Sequence, residues 1–167
     1  MRYKRDELMV YVFLLCLGFL ILPSCFAEKE QTKKEFSLLV INILDENLYQ
    51  DCHIAGSIHV PFDQLELYMK DKDHGAEIVL YCSNYACGAS AYAVKMLQKL
   101  GFEHVYAYEG GMAEWYQKGL PVEGPCEQSY LSYVIHQEEN SAEIPTINVY
   151  TLAQKMGFDM HKEQLAA

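Results

Sequence analysis

Residues 78–82 read Ile-Val-Leu-Tyr-Cys, a β-branched, aliphatic and aromatic run with no polar side chain to mark a solvent face. A strand of this kind must be covered on both sides, which is the situation of an interior strand in a parallel sheet. The next twenty residues narrow the choice. Residues 83–89 (SNYACGA) form a loop of mostly small residues, and residues 90–100 place Ala93, Val94, Leu97 and Leu100 on one helical stripe before Gly101. Strand, tight loop and helix in succession open a unit whose crossover to the next parallel strand is right-handed.

The same alternation runs through the chain. Leu38 to Ile43 is a near-continuous apolar strand, Asp45 to Asp51 a helical turn, and Ser57 to Val60 a short strand closed by Pro61. Phe62, Leu65 and Tyr68 or Met69 fall at helical spacing, His104 to Tyr108 reads as another strand, and GGMAEWYQKG opens on paired glycines before a short helix. This pattern predicts an α/β fold: a parallel central sheet of four to five strands flanked by helices on both faces. At 167 residues it suits one domain, with the folded unit over residues 36–123. Residues 124–167 differ in character. SYLSYVIH reads as strand or short helix, HQEENSAE as a polar linker and VYTLAQKM as an amphipathic turn or two. Two outcomes stand open for this extension, a packed cap or a loose tail, and no role is assigned to it.

The first 27 residues have the parts of an export signal: a basic start (Arg2, Lys4, Arg5), the apolar run Met9 to Leu22, then PSCFA. Fourteen apolar residues are short for a bilayer span of about 20. Cleavage after Ala27 competes with a lipoprotein reading of LPSC, in which Cys25 is lipidated; an uncleaved anchor is the third reading. Each puts the domain outside the cytoplasm, periplasmic or envelope-anchored, with a bacterial source under the lipoprotein reading. Membrane contact is expected only through this signal or lipid.

Charge excludes one class of partner. From Glu28 onward there are ten lysines, no arginine and 21 acids (10 − 21 = −11), a surface that repels phosphate backbones. No nucleic-acid partner is expected, and no cofactor or metal: there is no CxxC and no histidine cluster. Four cysteines fall in the folded part, Cys52, Cys82, Cys87 and Cys126, and in an oxidising compartment they allow three pairings. Cys52 is placed near a surface turn, with Cys126 as an alternative partner.

Ligands of α/β sheets bind beyond the carboxyl ends of the strands, where Cys82 stands, before a loop and a helix N-terminus. Loop N–H groups can converge on an anion there, and the helix end lowers a thiol pKa. Cys82 is therefore the candidate nucleophile. The competing reading is a small buried residue.

Three stretches together resemble the rhodanese family. LVINILDENLYQDCHIAGSIHVP carries its His-Ile-x-Gly pattern in His53, Ile54, Gly56 and Pro61, with Ser57 for the usual alanine. VLYCSNYACGAS matches the active-site strand and loop, and YEGGMAEWYQKGLPV the closing stretch through Gly110, Gly111, Trp115, Gly119, Leu120 and Pro121. The resemblance spans about residues 37–123. It implies a sulfurtransferase in which Cys82 takes sulfur from a small donor as a persulfide and passes it to a thiol acceptor. Ser83, Asn84, Tyr85, Ala86, Cys87 and Gly88 would form the cradle. His53, Gly56, Gly110, Gly111 and Trp115 would be structural.

The departures carry information too. Where many members have Asp and Arg in the first strand region, this chain has Asn42 and Leu44, and its active loop lacks the arginine that pairs with sulfonate. Thiosulfate is thus a doubtful donor, and a persulfide or polysulfide fits better. Phosphatase chemistry of the related loop is rejected, since Gly88 stands where its arginine would be. Cys87, five residues after Cys82, is a candidate resolving thiol. Three functions remain in view: a sulfurtransferase, a thiol–disulfide or redox protein using Cys82 and Cys87, and a non-catalytic binding module.

Overall fold

Period-two alternation along the central strand decides where everything else packs. The computed structural model describes residues 37–133 and 143–158; the signal readings over residues 1–27 lie outside them. Strands β1 (Leu38–Asn42), β2 (His53–Ile54), β3 (Ile58–His59), β4 (Glu77–Tyr81), β5 (His104–Tyr108) and β6 (Val122–Glu123) alternate with helices α1 (Glu46–Asp51), α2 (Leu65–Met69), α3 (Ala89–Lys99), α4 (Gly111–Gln117) and α5 (Val149–Lys155). The main sheet has the order β3-β1-β4-β5, every pair parallel. This is the expected α/β class, with four strands.

On one face Ile78, Leu80 and Cys82 meet Ala93, Val94 and Leu97 of α3 and Leu65 and Met69 of α2. On the other, Val79 and Tyr81 meet Met112 and Trp115 of α4. The alternation carries one residue past the end of β4, so Cys82 joins the layer beneath α3. Each buried Leu, Ile or Met here contributes roughly 1.5–3 kcal/mol. The α3 stripe ends where Gly101 takes a left-handed φ of 91° and donates to the Gln98 carbonyl at 3.0 Å.

The sequence pattern does not indicate the second sheet, in which two-residue strands β2 and β6 pair antiparallel, His53 opposite Glu123 and Ile54 opposite Val122. Strands this short carry no readable period. They tie the His53–Pro61 segment to the end of the chain's closing motif.

Of the two outcomes for the C-terminal extension, the described residues show the packed one. Residues 145–147 run along β5, Ala107 donating to the Pro145 carbonyl and accepting from Ile147 N–H, both at 3.0 Å. Asn148 caps α5 by accepting from Thr151 N–H at 2.9 Å. Val149, Leu152 and Ala153 are buried with Trp115 and Tyr108, and Phe158 meets the Trp115 ring edge-on at 5.9 Å.

Cys52 departs from its expected surface position: it is fully buried and bonded to Cys126, with Cα atoms 4.6 Å apart. Period-two pairing of β2 with β6 turns it inward. The Cys126 N–H donates to the Asp51 carbonyl at 2.8 Å, and the Asp51 carboxylate accepts from Glu127 and Gln128 N–H. Closing a loop of 74 residues restricts the unfolded chain by about 4 kcal/mol. The double variant Cys52→Ser/Cys126→Ser should lose stability on that scale in urea unfolding, and reduction of the wild type should give the same shift.

Candidate active site at the end of the central strand

Cys82 is 0% exposed and lies where β4 gives way to the loop 83–88. The loop's path is fixed from the opposite side of the sheet by α4. Met112 N–H donates to the Cys82 carbonyl and Ala113 N–H to the Ser83 carbonyl, both at 2.9 Å. Such a close approach needs glycine at the helix start. Gly111 has φ 59°, and a Cβ there would stand 2.6 Å from the Cys82 carbonyl oxygen and 2.9 Å from Asn84 N. Gly110 lies under the Glu114 carboxylate, which a Cβ would strike.

Within the loop, Asn84 is buried and organises the turn. Its side-chain oxygen accepts from Ala86 N–H at 3.1 Å and its carbonyl from Cys87 N–H at 3.0 Å. These two N–H groups are therefore spent inside the loop. Ser83, Tyr85 and Cys87 are half-buried, while Ala86 and Gly88 are exposed, with Gly88 preceding the first turn of α3.

The two loop cysteines are free thiols in unequal surroundings. Cys82 Sγ lies 3.1 Å from the Cys87 carbonyl oxygen and 3.8 Å from Ser90 Oγ. A carbonyl only accepts, so this geometry suits a protonated thiol. The hydrogen bond with the Cys87 side chain, burial and the nearby Cys87 charge together hold Cys82 well above the ordinary thiol range. Cys87 is lowered to about 5, first by the hydrogen bond from Cys82 and then by the N–H groups of Ala89 and Ser83 and the Ser83 hydroxyl. The Ser90 N–H and hydroxyl act the other way on Cys82 but are outweighed, and the two thiols titrate as a coupled pair. Sequence reasoning missed Ser90. Its signal is the helical stripe itself, since residues 90, 93, 94 and 97 share one face.

The surrounding charge is negative. Tyr85 is pushed up to about 12 by burial and by Glu114 and Glu109. Lys95, the nearest cation in sequence, is paired with Glu143 at 3.2 Å. A groove of about 380 Å³ lined by Leu38, Val40, Ala55, Gly56, Met156 and Phe158 includes no loop residue.

The remaining motif residues brace the site. His53 Nδ1 lies 2.8 Å from the Tyr49 carbonyl, its ring stacks on Tyr49 at 3.9 Å, and its Nε2 is 3.4 Å from Glu123. Gly56 turns the chain at φ 79°. Ser57, in place of alanine, bonds the Tyr81 hydroxyl at 2.8 Å, which also accepts from Ile54 N–H at 3.1 Å. This fastens the 53–61 segment to β4. Trp115 is fully buried and donates to the Pro121 carbonyl at 2.9 Å.

Residues 26–118 match the rhodanese-like domain family. The chain belongs to that family. Thiosulfate sulfurtransferase GlpE of Pseudomonas fluorescens is 31% identical over 90 residues, covering 53% of this chain and 79% of the relative. The GlpE of Coxiella burnetii is 28% identical over 83 residues, covering 49% and 75%. A rhodanese-like domain with these relatives groups with the sulfurtransferases at family level. The solved BH2092 protein of Bacillus halodurans superposes with a TM-score of 0.50 at 23% identity, covering 71% of this chain and 74% of that one, a likeness of fold alone.

The geometry has two measurable outcomes. Gly111→Ala should cost about 2 kcal/mol or more in urea unfolding, because a Cβ meets backbone rather than a movable side chain. Iodoacetamide should label Cys87 ahead of Cys82 in the native protein. Peptide mapping should find the Cys87 rate flat at neutral pH and falling as pH drops through about 5, where its thiolate is protonated.

Proposed function

We propose that this chain is an exported sulfurtransferase that carries sulfane sulfur as a persulfide on Cys82. The observation that carries the reading is Cys82 at the carboxyl end of β4, under the start of α3, in a loop whose carbonyls are held by α4. The outer sulfur of a Cys82 persulfide extends about 2 Å beyond Sγ.

The donor is a persulfide or polysulfide in preference to thiosulfate, and the acceptor is a thiol. From residue 28 onward the chain has no arginine, Lys95 is engaged with Glu143, and Glu109 and Glu114 raise Tyr85 beside the loop. A doubly charged oxyanion lacks the bidentate partner that would offset its desolvation. The relatives named as thiosulfate sulfurtransferases keep thiosulfate as the donor to compare. Export is supported by the signal pattern at residues 1–27, under cleavage after Ala27 or lipidation at Cys25, and by the Cys52–Cys126 disulfide, a bond that persists in oxidising compartments. A thiol–disulfide reading draws on the contact between Cys82 and Cys87, and it requires the two to cycle as a disulfide.

Intact mass after incubation with polysulfide, and separately with thiosulfate, tests the proposal. Polysulfide should add one sulfur that peptide mapping assigns to Cys82, thiosulfate should add it at least tenfold more slowly, and Cys82→Ser should slow transfer to an added thiol at least tenfold. Full-rate transfer by that variant would sink the carrier role. A wild-type mass two protons light, restored by reduction, would favour the redox cycle.

A further inference from the structure

Cys82 is the thiol that the carrier reading needs, yet in the free protein it is the worse placed of the two for meeting a donor. It is fully buried, and its sulfur faces the Cys87 carbonyl at 3.1 Å and Ser90 Oγ at 3.8 Å. Attack on an incoming sulfur from this position requires loss of the thiol proton in a place where the nearest oxygen repels a thiolate. Cys87 has the opposite setting. It is half-buried in the same loop, where the neighbouring Ser83 and Ala89 groups favour its thiolate. Its own carbonyl oxygen is the atom that the buried thiol faces at 3.1 Å.

We propose that Cys87 is a second catalytic residue, the entry nucleophile that takes sulfane sulfur from the donor and hands it inward to Cys82. The inference rests on the carrier reading and gives it a direction. In the first step the Cys87 thiolate attacks the outer sulfur of a hydropersulfide or polysulfide. A bond forms between Cys87 Sγ and that sulfur, the donor's S–S bond breaks, and the donor leaves as a thiolate or shortened polysulfide with the bonding electron pair. In the second step Cys82 attacks the same outer sulfur, its bond to Cys87 breaks with the electron pair going to Cys87, and the Cys82 proton passes to Cys87. The net exchange, Cys82–SH plus Cys87–S–SH giving Cys82–S–SH plus Cys87–SH, is balanced and consumes no oxidant or reductant.

The arrangement accounts for three observations together. The entry thiol is partly exposed while the storage thiol is enclosed. Cys87 gives up its negative charge in the first step, when that charge leaves with the donor, and the groups that had favoured its thiolate are then free for the outer sulfur that the second step moves to Cys82. Finally, the nucleophile is favoured by groups of its own loop and not by a cationic side chain, Lys95 being paired with Glu143.

The test is rapid-quench loading of the full folded chain with sodium polysulfide, trapping with an alkylating reagent and mapping of the added sulfur, in wild type, Cys87→Ser, Cys87→Ala and Cys82→Ser. Sulfur should appear on Cys87 first and on Cys82 later. Cys82→Ser should hold it on Cys87, and both Cys87 variants should load Cys82 at least tenfold more slowly while unfolding in urea as cooperatively as wild type. Wild-type-rate loading of Cys82 in either Cys87 variant would overturn the relay and leave the carrier standing. Prompt formation of a Cys82–Cys87 disulfide with release of hydrosulfide would also overturn it, since Cys87 would then discharge sulfur and not deliver it. Absence of sulfur on every cysteine of the wild type would remove the carrier and the relay together.

Discussion

Two hydrogen bonds, from the first turn of α4 to the carbonyls of Cys82 and Ser83, are the constraint on which the site depends. They orient the peptide planes where β4 ends, and so decide which way the succeeding N–H groups and side chains point. Without them the loop would keep the Asn84 turn and the Cys82 thiol contact to the Cys87 carbonyl, neither of which ties it to the opposite face of the sheet. The glycine that permits the approach lies 29 residues from Cys82 in sequence and directly against it in space. A helix on one face of the sheet thereby sets the geometry of a thiol buried on the other.

That arrangement favours a thiolate at Cys87 in an otherwise acidic protein. The favourable field comes from backbone dipoles, a hydroxyl and a neighbouring thiol, all within the loop, and not from a cationic side chain. Fixed donors of this type act only at contact distance. They stabilise charge on a sulfur already seated but do nothing to attract an anion from solution. The chemistry of the pocket and the charge of the surface are thus decoupled.

Much of this was legible in the sequence. The strand 78–82, the α3 stripe and the placement of Cys82 at a strand end all rest on period-two and period-3.6 patterns strong enough to read alone. The pairing of Cys52 with Cys126 was legible only as one alternative, because the burial of Cys52 depends on β2 and β6, each two residues long. The difference in surroundings between Cys82 and Cys87 was not legible. That arises from the Asn84 turn, which takes up two loop N–H groups, and from the side on which α3 begins, neither of which leaves a periodic trace. Residues 145–158 were readable as amphipathic, but only the structure locates the apolar surface of Trp115 and Tyr108 that they cover.

The extension has a consequence for how such a unit is inherited. The family match ends at residue 118, before Cys126, the strand-like segment 145–147 and α5. Yet the cover on the edge of β5, the cover on one face of Trp115 and one end of the disulfide all come from residues beyond that boundary. For this lineage the transferable module is longer than the shared one. A gene fusion or shuffling event cut at the family boundary would carry the Cys82 loop but leave behind part of the hydrophobic layer around it.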